Sequence, residues 1–148
     1  MAIAVGERAP EIDGVRTDTP HALVFYKATC SVTQMAGPPI GLFGDAYRGA
    51  VVGVGQDPLA DLDAFAEEHR WTFPQVPDLP PYDASNAYGI ASAPTVVVVD
   101  GEGSVADVVE SWDREGLNRA AAVLARALDT DAVVVSTPDD GLPEFKPG

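Results

Sequence analysis

The chain holds one cysteine, Cys30, in the stretch Phe25-Tyr26-Lys27-Ala28-Thr29-Cys30-Ser31-Val32-Thr33-Gln34. A cysteine does chemistry as its thiolate, which attacks disulfide sulfur and other soft electrophiles. An apolar, β-prone run, His21 to Tyr26, precedes this one, and a segment of helical character follows. A strand that delivers a thiol to a helix N-terminus sets the sulfur near unpaired backbone N–H groups, where the helix dipole favours negative charge. The alternative is a buried, inert thiol that behaves as a small apolar side chain. Three positions on stands Thr33 rather than a second cysteine, so the motif is C-x-x-T. Any disulfide at Cys30 must then join it to a small thiol or to another chain. The Thr33 hydroxyl, one helical turn away, either donates to the thiolate or bonds to the local backbone.

The other chemistry-bearing residues give weaker signals. Lys27 either adds positive charge beside the sulfur or is simply solvated. Gln34 and Tyr88 are candidates for the rim of a site. His21 stands at a strand start and His69 at a helix end, where a cation is favourable. With one cysteine and no H-x-x-x-H or C-x-x-C spacing, neither a metal nor another cofactor is expected. Gly53-x-Gly55 is too short and ill placed for a dinucleotide fingerprint. Trp71 and Trp112 read as packing residues.

Several elements must position Cys30. Residues 21–27 form the first convincing strand. A helix follows from Cys30 to about Tyr47, and Pro38-Pro39 is expected to bend or interrupt it. Ala50 to Gly55 reads as a buried parallel strand. Asp57-Pro58 then supplies an N-cap and a proline at the first helical position, with Leu59, Leu62, Phe65 and Ala66 at helical spacing. Residues 72–81 carry four prolines and read as a loop. Asp83 to Tyr88 suits a short helix capped by Asp83 and stopped by Gly89. Ala93-Pro94-Thr95 leads into Val96–Val99, a buried strand. Asp100-Gly101-Glu102-Gly103 is a hairpin turn, and Ser104 to Glu110 returns antiparallel. Asp113 to Leu128 is an amphipathic helix. Residues 129–148 add either an edge strand at Ala132–Val135 or a surface tail.

The 148 residues suit one domain, with a core of about residues 5–128 and a C-terminal extension of 129–148. The order of elements predicts an α/β fold with a central mixed β-sheet and helices on both faces. Fifteen Asp and eight Glu against two Lys and seven Arg give a net charge of −14. That balance argues against nucleic acid or an anionic membrane as partner, since both require a cationic footprint. No apolar run approaches the length of a membrane span, and no signal-peptide pattern opens the chain. A lone cysteine and these absences lead to the expectation of a cytoplasmic protein with a free thiol.

This layout resembles the thioredoxin fold, and within it the redoxin branch of peroxiredoxins and TlpA-like thiol–disulfide oxidoreductases. Four pieces carry the resemblance: Phe25 to Cys30 as the strand and turn bearing the reactive cysteine, and Pro38 as the family's helix proline; Ser92-Ala93-Pro94-Thr95 as its cis-proline loop, and Asp100 to Gly103 as the following hairpin. The long stretch from Val54 to Ala93 matches the insertion of the redoxin branch. The resemblance implies that Cys30 is a nucleophile and that Ala93, Pro94 and Thr95 orient a disulfide-bearing protein or a small thiol, while Thr33 stands as the candidate catalytic partner only through the hydroxyl it places one turn from the sulfur. Two departures shape the expected chemistry. Thr33 cannot expel a bound substrate, which makes the site monothiol. The peroxidatic pattern P-x-x-x-T-x-x-C is absent, since Leu23 and Lys27 occupy its Pro and Thr positions. The expectation is therefore a monothiol thiol–disulfide oxidoreductase. The alternatives are a redox-silent module that binds a partner in the same groove, and a one-cysteine peroxidase with an antioxidant role.

Overall fold

The computed structural model describes all residues from 1 to 148. The strands of the main sheet are β1 (His21–Tyr26), β2 (Val51–Gly55), β3 (Gln75–Pro77), β4 (Thr95–Val99) and β5 (Val105–Glu110). They lie in the order β3-β2-β1-β4-β5. β1 runs parallel to β2 and antiparallel to β4, β2 is parallel to β3, and β4 is antiparallel to β5. The helices are α1 (Ser31–Ala46), α2 (Leu59–Glu68), α3 (Asp83–Ala87) and α4 (Arg114–Ala127). The sheet is mixed, as βα units followed by a hairpin require.

Alternation along the central strands sorts their side chains between two cores. Ala22, Val24 and Tyr26 of β1 join Val96 and Val98 of β4 in the larger one. α1, α2 and α4 complete it with Ile40, Phe43, Leu62, Phe65, Leu117 and Leu124. Leu23 and Phe25 join Val97 and Val99 on the other side, covered by Tyr88 and the N-terminal segment around Ala9. β1 is buried along its whole length, which explains why it reads as a continuous apolar run rather than an alternating one.

One local expectation is narrowed and two are corrected. α1 is not interrupted at Pro38-Pro39, and both prolines lie inside one continuous helix. Each proline removes only its own ladder bond, and the burial of Ala36, Pro39, Ile40 and Phe43 holds the helix across the gap. Residues 72–81 are not all loop, since β3 pairs with β2 at Gly53↔Gln75 and Val54↔Val76. A short edge strand bounded by prolines is tolerated because one side of it needs no partner. Asp57 and Asp83 do not cap their helices. The caps are Pro58 and Tyr82, and the carboxylate at the start of α3 belongs to Asp78. It accepts from the N–H groups of Ala84 and Ser85 at 3.1 and 2.8 Å and from the Ser85 hydroxyl at 2.6 Å.

α1 carries Gly37, Gly41 and Gly44 along one face, and His69, Trp71 and Phe73 of the segment after α2 press on them in order. A Cβ at Gly37 or Gly44 would overlap the His69 or Phe73 ring. The Trp71 indole N–H donates to the Gly37 carbonyl at 2.8 Å. Spacing of three and four on a helix thus meets spacing of two on an extended chain, and this seam sets where α1 lies over the sheet.

Residues 129–148 form no strand at Ala132–Val135. Val135 and Ser136 are buried, and a short turn of helix follows at Pro138–Asp140. Two further strands, β6 (Trp112–Asp113) and β7 (Phe145–Lys146), pair antiparallel as a ribbon apart from the main sheet.

Candidate active site

Cys30 sits between β1 and α1. It is the N-cap of α1, with φ −77° and ψ 123°, and it is partly exposed. The turn that carries it is held on three sides. The Cys30 N–H donates to the Lys27 carbonyl at 3.1 Å. The Ala28 N–H donates to the Asp57 carboxylate at 2.8 Å, and the Gln34 amide donates to the Ala28 carbonyl at 3.1 Å. Asp57, freed from capping α2, therefore ties the start of that helix to the turn before the thiol. Sequence reading missed this role, because 29 residues separate the partners.

The thiol donates to the carbonyl oxygen of Ala93 at 3.5 Å. That carbonyl belongs to the Ala93–Pro94 bond, which is cis, as is Pro80–Pro81. Strand β4 begins at Thr95, whose pairing with Phe25 at the end of β1 brings the loop to the cysteine across 63 residues. A cleft of about 300 Å³ opens here, lined by Lys27, Cys30, Gln56, Ile90, Ala91, Ser92, Ala93 and Gly148. Lys27 is its one cationic side chain.

Of the residues expected here, Cys30 and Ala93 face the cleft together. Pro94 and Thr95 are buried beneath it. Thr95 is 0% exposed, and its hydroxyl donates to the Ser92 carbonyl at 2.8 Å. It shapes the loop from beneath. Tyr88 is not a rim residue. It is buried against Phe25, and its hydroxyl donates to the Pro10 carbonyl at 2.5 Å. Burial pushes that phenol up to about 12. Burial, with Asp57 and Asp63 adding to it, also raises the Tyr26 phenol, which stays a neutral donor to Gln75 at 2.5 Å. His69 stands at the C-cap of α2, with its ring centroid 4.1 Å from that of Phe65; its Nε2 is buried without a hydrogen-bond partner, 4.0 Å from the Glu68 carboxylate.

Thr33 differs from both expectations. It is 0% exposed, yet its hydroxyl has no hydrogen-bond partner, neither Cys30 nor the helix backbone. An unpaired buried hydroxyl is unfavourable, and an isosteric methyl in its place removes that cost. Thr33→Val is expected to raise stability by about 1 kcal/mol in chemical denaturation. A loss of stability would show that the hydroxyl is satisfied in solution. A fall in thiol chemistry alongside the gain would show that it serves the thiolate once the proton has left.

No family model matches the chain, and no curated protein matches it in sequence. Solved structures do. MTB DsbF, solved in mixed oxidised and reduced forms, superposes with a TM-score of 0.61 at 26% identity, covering 72% of this chain and 81% of its own. The fold is thioredoxin-like. A putative thiol:disulfide interchange protein DsbE from Chlorobium tepidum superposes at 0.71 with 20% identity, covering 86% of this chain and 99% of that one. The thioredoxin domain of a thiol-disulfide oxidoreductase from Bacteroides vulgatus gives 0.64 and 20%, covering 86% and 97%. At such identities the last two establish the thioredoxin-like architecture, and the chemistry rests on the residues around Cys30.

Proposed function

We propose that this protein is a monothiol thiol–disulfide oxidoreductase with Cys30 as its nucleophile. The observation that carries the reading is the partly exposed thiol at the start of α1, bonded to the Ala93 carbonyl in an open cleft. The likeness to DsbF and to the putative interchange protein DsbE supports it. Exchange needs three things here. The sulfur must reach a second sulfur in line with its disulfide, negative charge must be tolerated, and the partner must be held. The cleft supplies access, and the α1 N-terminus offers unpaired N–H groups to an anion. The Ala93 carbonyl, on the edge of an extended segment, suits a partner's backbone.

The cycle has two displacements. The Cys30 thiol releases its proton to solvent, and the sulfur attacks a disulfide R–S–S–R′. The S–S bond breaks, a Cys30–S–S–R bond forms, and R′–S⁻ leaves and is protonated by water. Position 33 offers no second thiol, so this mixed disulfide persists. An external small thiol R″–SH, after losing its proton, then attacks the R sulfur. R–S–S–R″ forms and Cys30 regains its thiol. One electron pair has passed from R″ to R′. The partners are therefore a disulfide-bearing protein and a small thiol, and a cytoplasmic setting rich in such thiols would sustain turnover.

Thr33→Cys separates this reading from a redox-silent binding module. The introduced thiol is expected to close a disulfide with Cys30 and to release bound substrate without an external thiol, while the natural chain turns over only when that thiol is supplied. Exchange that appears in the variant alone, with the natural chain inert at every thiol concentration, would overturn the monothiol reading. The measurement is reduction of a mixed-disulfide reporter with and without added thiol.

A further inference from the structure

Residues 143–148 run back across the molecule to the cysteine. The Trp112 indole N–H donates to the Pro143 carbonyl at 2.6 Å, and the Arg114 N–H donates to the Glu144 carbonyl at 3.0 Å. From there Phe145 and Lys146 pair with Asp113 and Trp112. The Gly148 N–H donates to the Ser111 hydroxyl at 3.1 Å, and the Ser111 N–H donates to the Pro94 carbonyl at 2.8 Å. Gly148 lies against the Ala93 carbonyl and Val32, so close that a Cβ there would overlap the Ala93 oxygen. This is the oxygen that accepts from the Cys30 thiol. Gly148 also lines the cleft that Cys30 opens into.

We propose that Ser111–Asp113 is a docking edge for an extended peptide approaching Cys30, and that residues 145–148 occupy it as an internal competitor. The occupant shows what the edge accepts. It is held through its backbone in antiparallel pairing, with Phe145 and Lys146 both exposed. Recognition of this kind takes an extended main chain and is permissive toward its side chains. The strap is also built to leave. Phe145 to Gly148 are exposed and bury no core residue, whereas Val135, Ser136 and Arg114 anchor the chain upstream. Such segments open locally without unfolding the domain. The inference rests on the reading of Cys30 as the reactive group only for its consequence. The strap itself concerns access to the sulfur.

The test is alkylation of Cys30 by two reagents, iodoacetamide and a maleimide carrying a polyethylene glycol chain. The proteins are the full chain, a chain shortened to Glu144, and Gly148→Ala, which crowds the Ala93 oxygen without shortening anything. Removing the strap frees the edge that a bulky reagent must cross. The bulky reagent is expected to react about tenfold faster with the shortened chain, and iodoacetamide to change much less. Gly148→Ala shifts the ratio in the same direction. A peptide with the sequence of residues 141–148, added to the shortened chain, restores the slow rate. Equal ratios in the full chain and Gly148→Ala, with the shortened chain folded by near-ultraviolet circular dichroism and equal too, overturn the proposal. If the shortened chain does not fold, Gly148→Ala decides alone. Alkylation reports access to sulfur whether or not Cys30 exchanges disulfides, so the strap and the oxidoreductase reading fail separately.

Discussion

Cys30→Ser is expected to reduce disulfide exchange to the uncatalysed background. The chain has no other thiol, so no residue can take over the mixed disulfide. A serine hydroxyl at the same place cannot form an S–S bond, and the loss should be about a thousandfold or more. The fold should be nearly indifferent. Cys30 is partly exposed, and a serine hydroxyl can still donate to the Ala93 carbonyl, so stability should stay within about 0.5 kcal/mol. The measurement pairs exchange of a fluorescent disulfide peptide with urea unfolding. Exchange that survives in a folded Cys30→Ser protein would remove the thiol from the mechanism. Loss of exchange together with loss of fold would assign Cys30 a structural role instead.

Arg114→Leu is expected to cost about 3 kcal/mol and to loosen the C-terminal segment. Arg114 is 9% exposed, unusual for a guanidinium. It is kept by three partners, all in the extension: the Ser136 hydroxyl at 3.0 Å, the Asp140 carboxylate at 3.1 Å and the Leu142 carbonyl at 2.7 Å. Ser136 also donates to Asp140. Leucine fills part of the volume but leaves the Leu142 carbonyl without its donor and takes the guanidinium away from Ser136 and Asp140. The variant also changes the response to acid. The Ser136 hydroxyl, the Leu142 N–H and then the Arg114 guanidinium hold the Asp140 carboxyl below its ordinary value of 3.8. A carboxylate whose folded-state value is lowered contributes its full stability above the unfolded value, and loses it as pH falls through the folded one. The natural protein should therefore shed part of its tail anchorage only below about pH 4, and Arg114→Leu should shed less there because less is present. Thermal melts at neutral and acid pH, with the proteolytic sensitivity of residues 136–148 as a second readout, check both points. A variant as stable as the natural chain, with an equally protected tail, would show that Arg114 does not anchor the extension.

Much of the architecture is legible in the sequence because it is written in local patterns. The continuous apolar runs of β1, β2 and β4, the Asp100–Gly103 turn and the periodicity of α4 each declare an element within a few residues. The helix read from Asp113 onward is α4, and Asp113 is its cap, accepting from the Gly116 N–H at 3.0 Å. The α/β order then leaves few ways to pair the strands, and Cys30 falls at the strand-to-helix junction that chemistry favours. β3 was hidden by the prolines on either side of Gln75–Val76, and its pairing depends on β2, which lies well upstream across α2.

What the chain determined alone, then, was its long elements, its single thiol and the lack of a second thiol at Thr33. These are properties of residue type and short spacing. Tertiary structure decided what stands beside the thiol. The Ala93 carbonyl arrives through β1–β4 pairing, the Asp57 carboxylate from just beyond β2, and Gly148 from a segment without periodicity. It also turned Thr95 and Tyr88 inward and left the Thr33 hydroxyl without a partner. Such contacts join residues tens of positions apart through sheet register and packing, and no local propensity encodes them. The extension shows this most plainly. Its course is set by a buried arginine and an exposed edge, and both become visible only when the chain is folded.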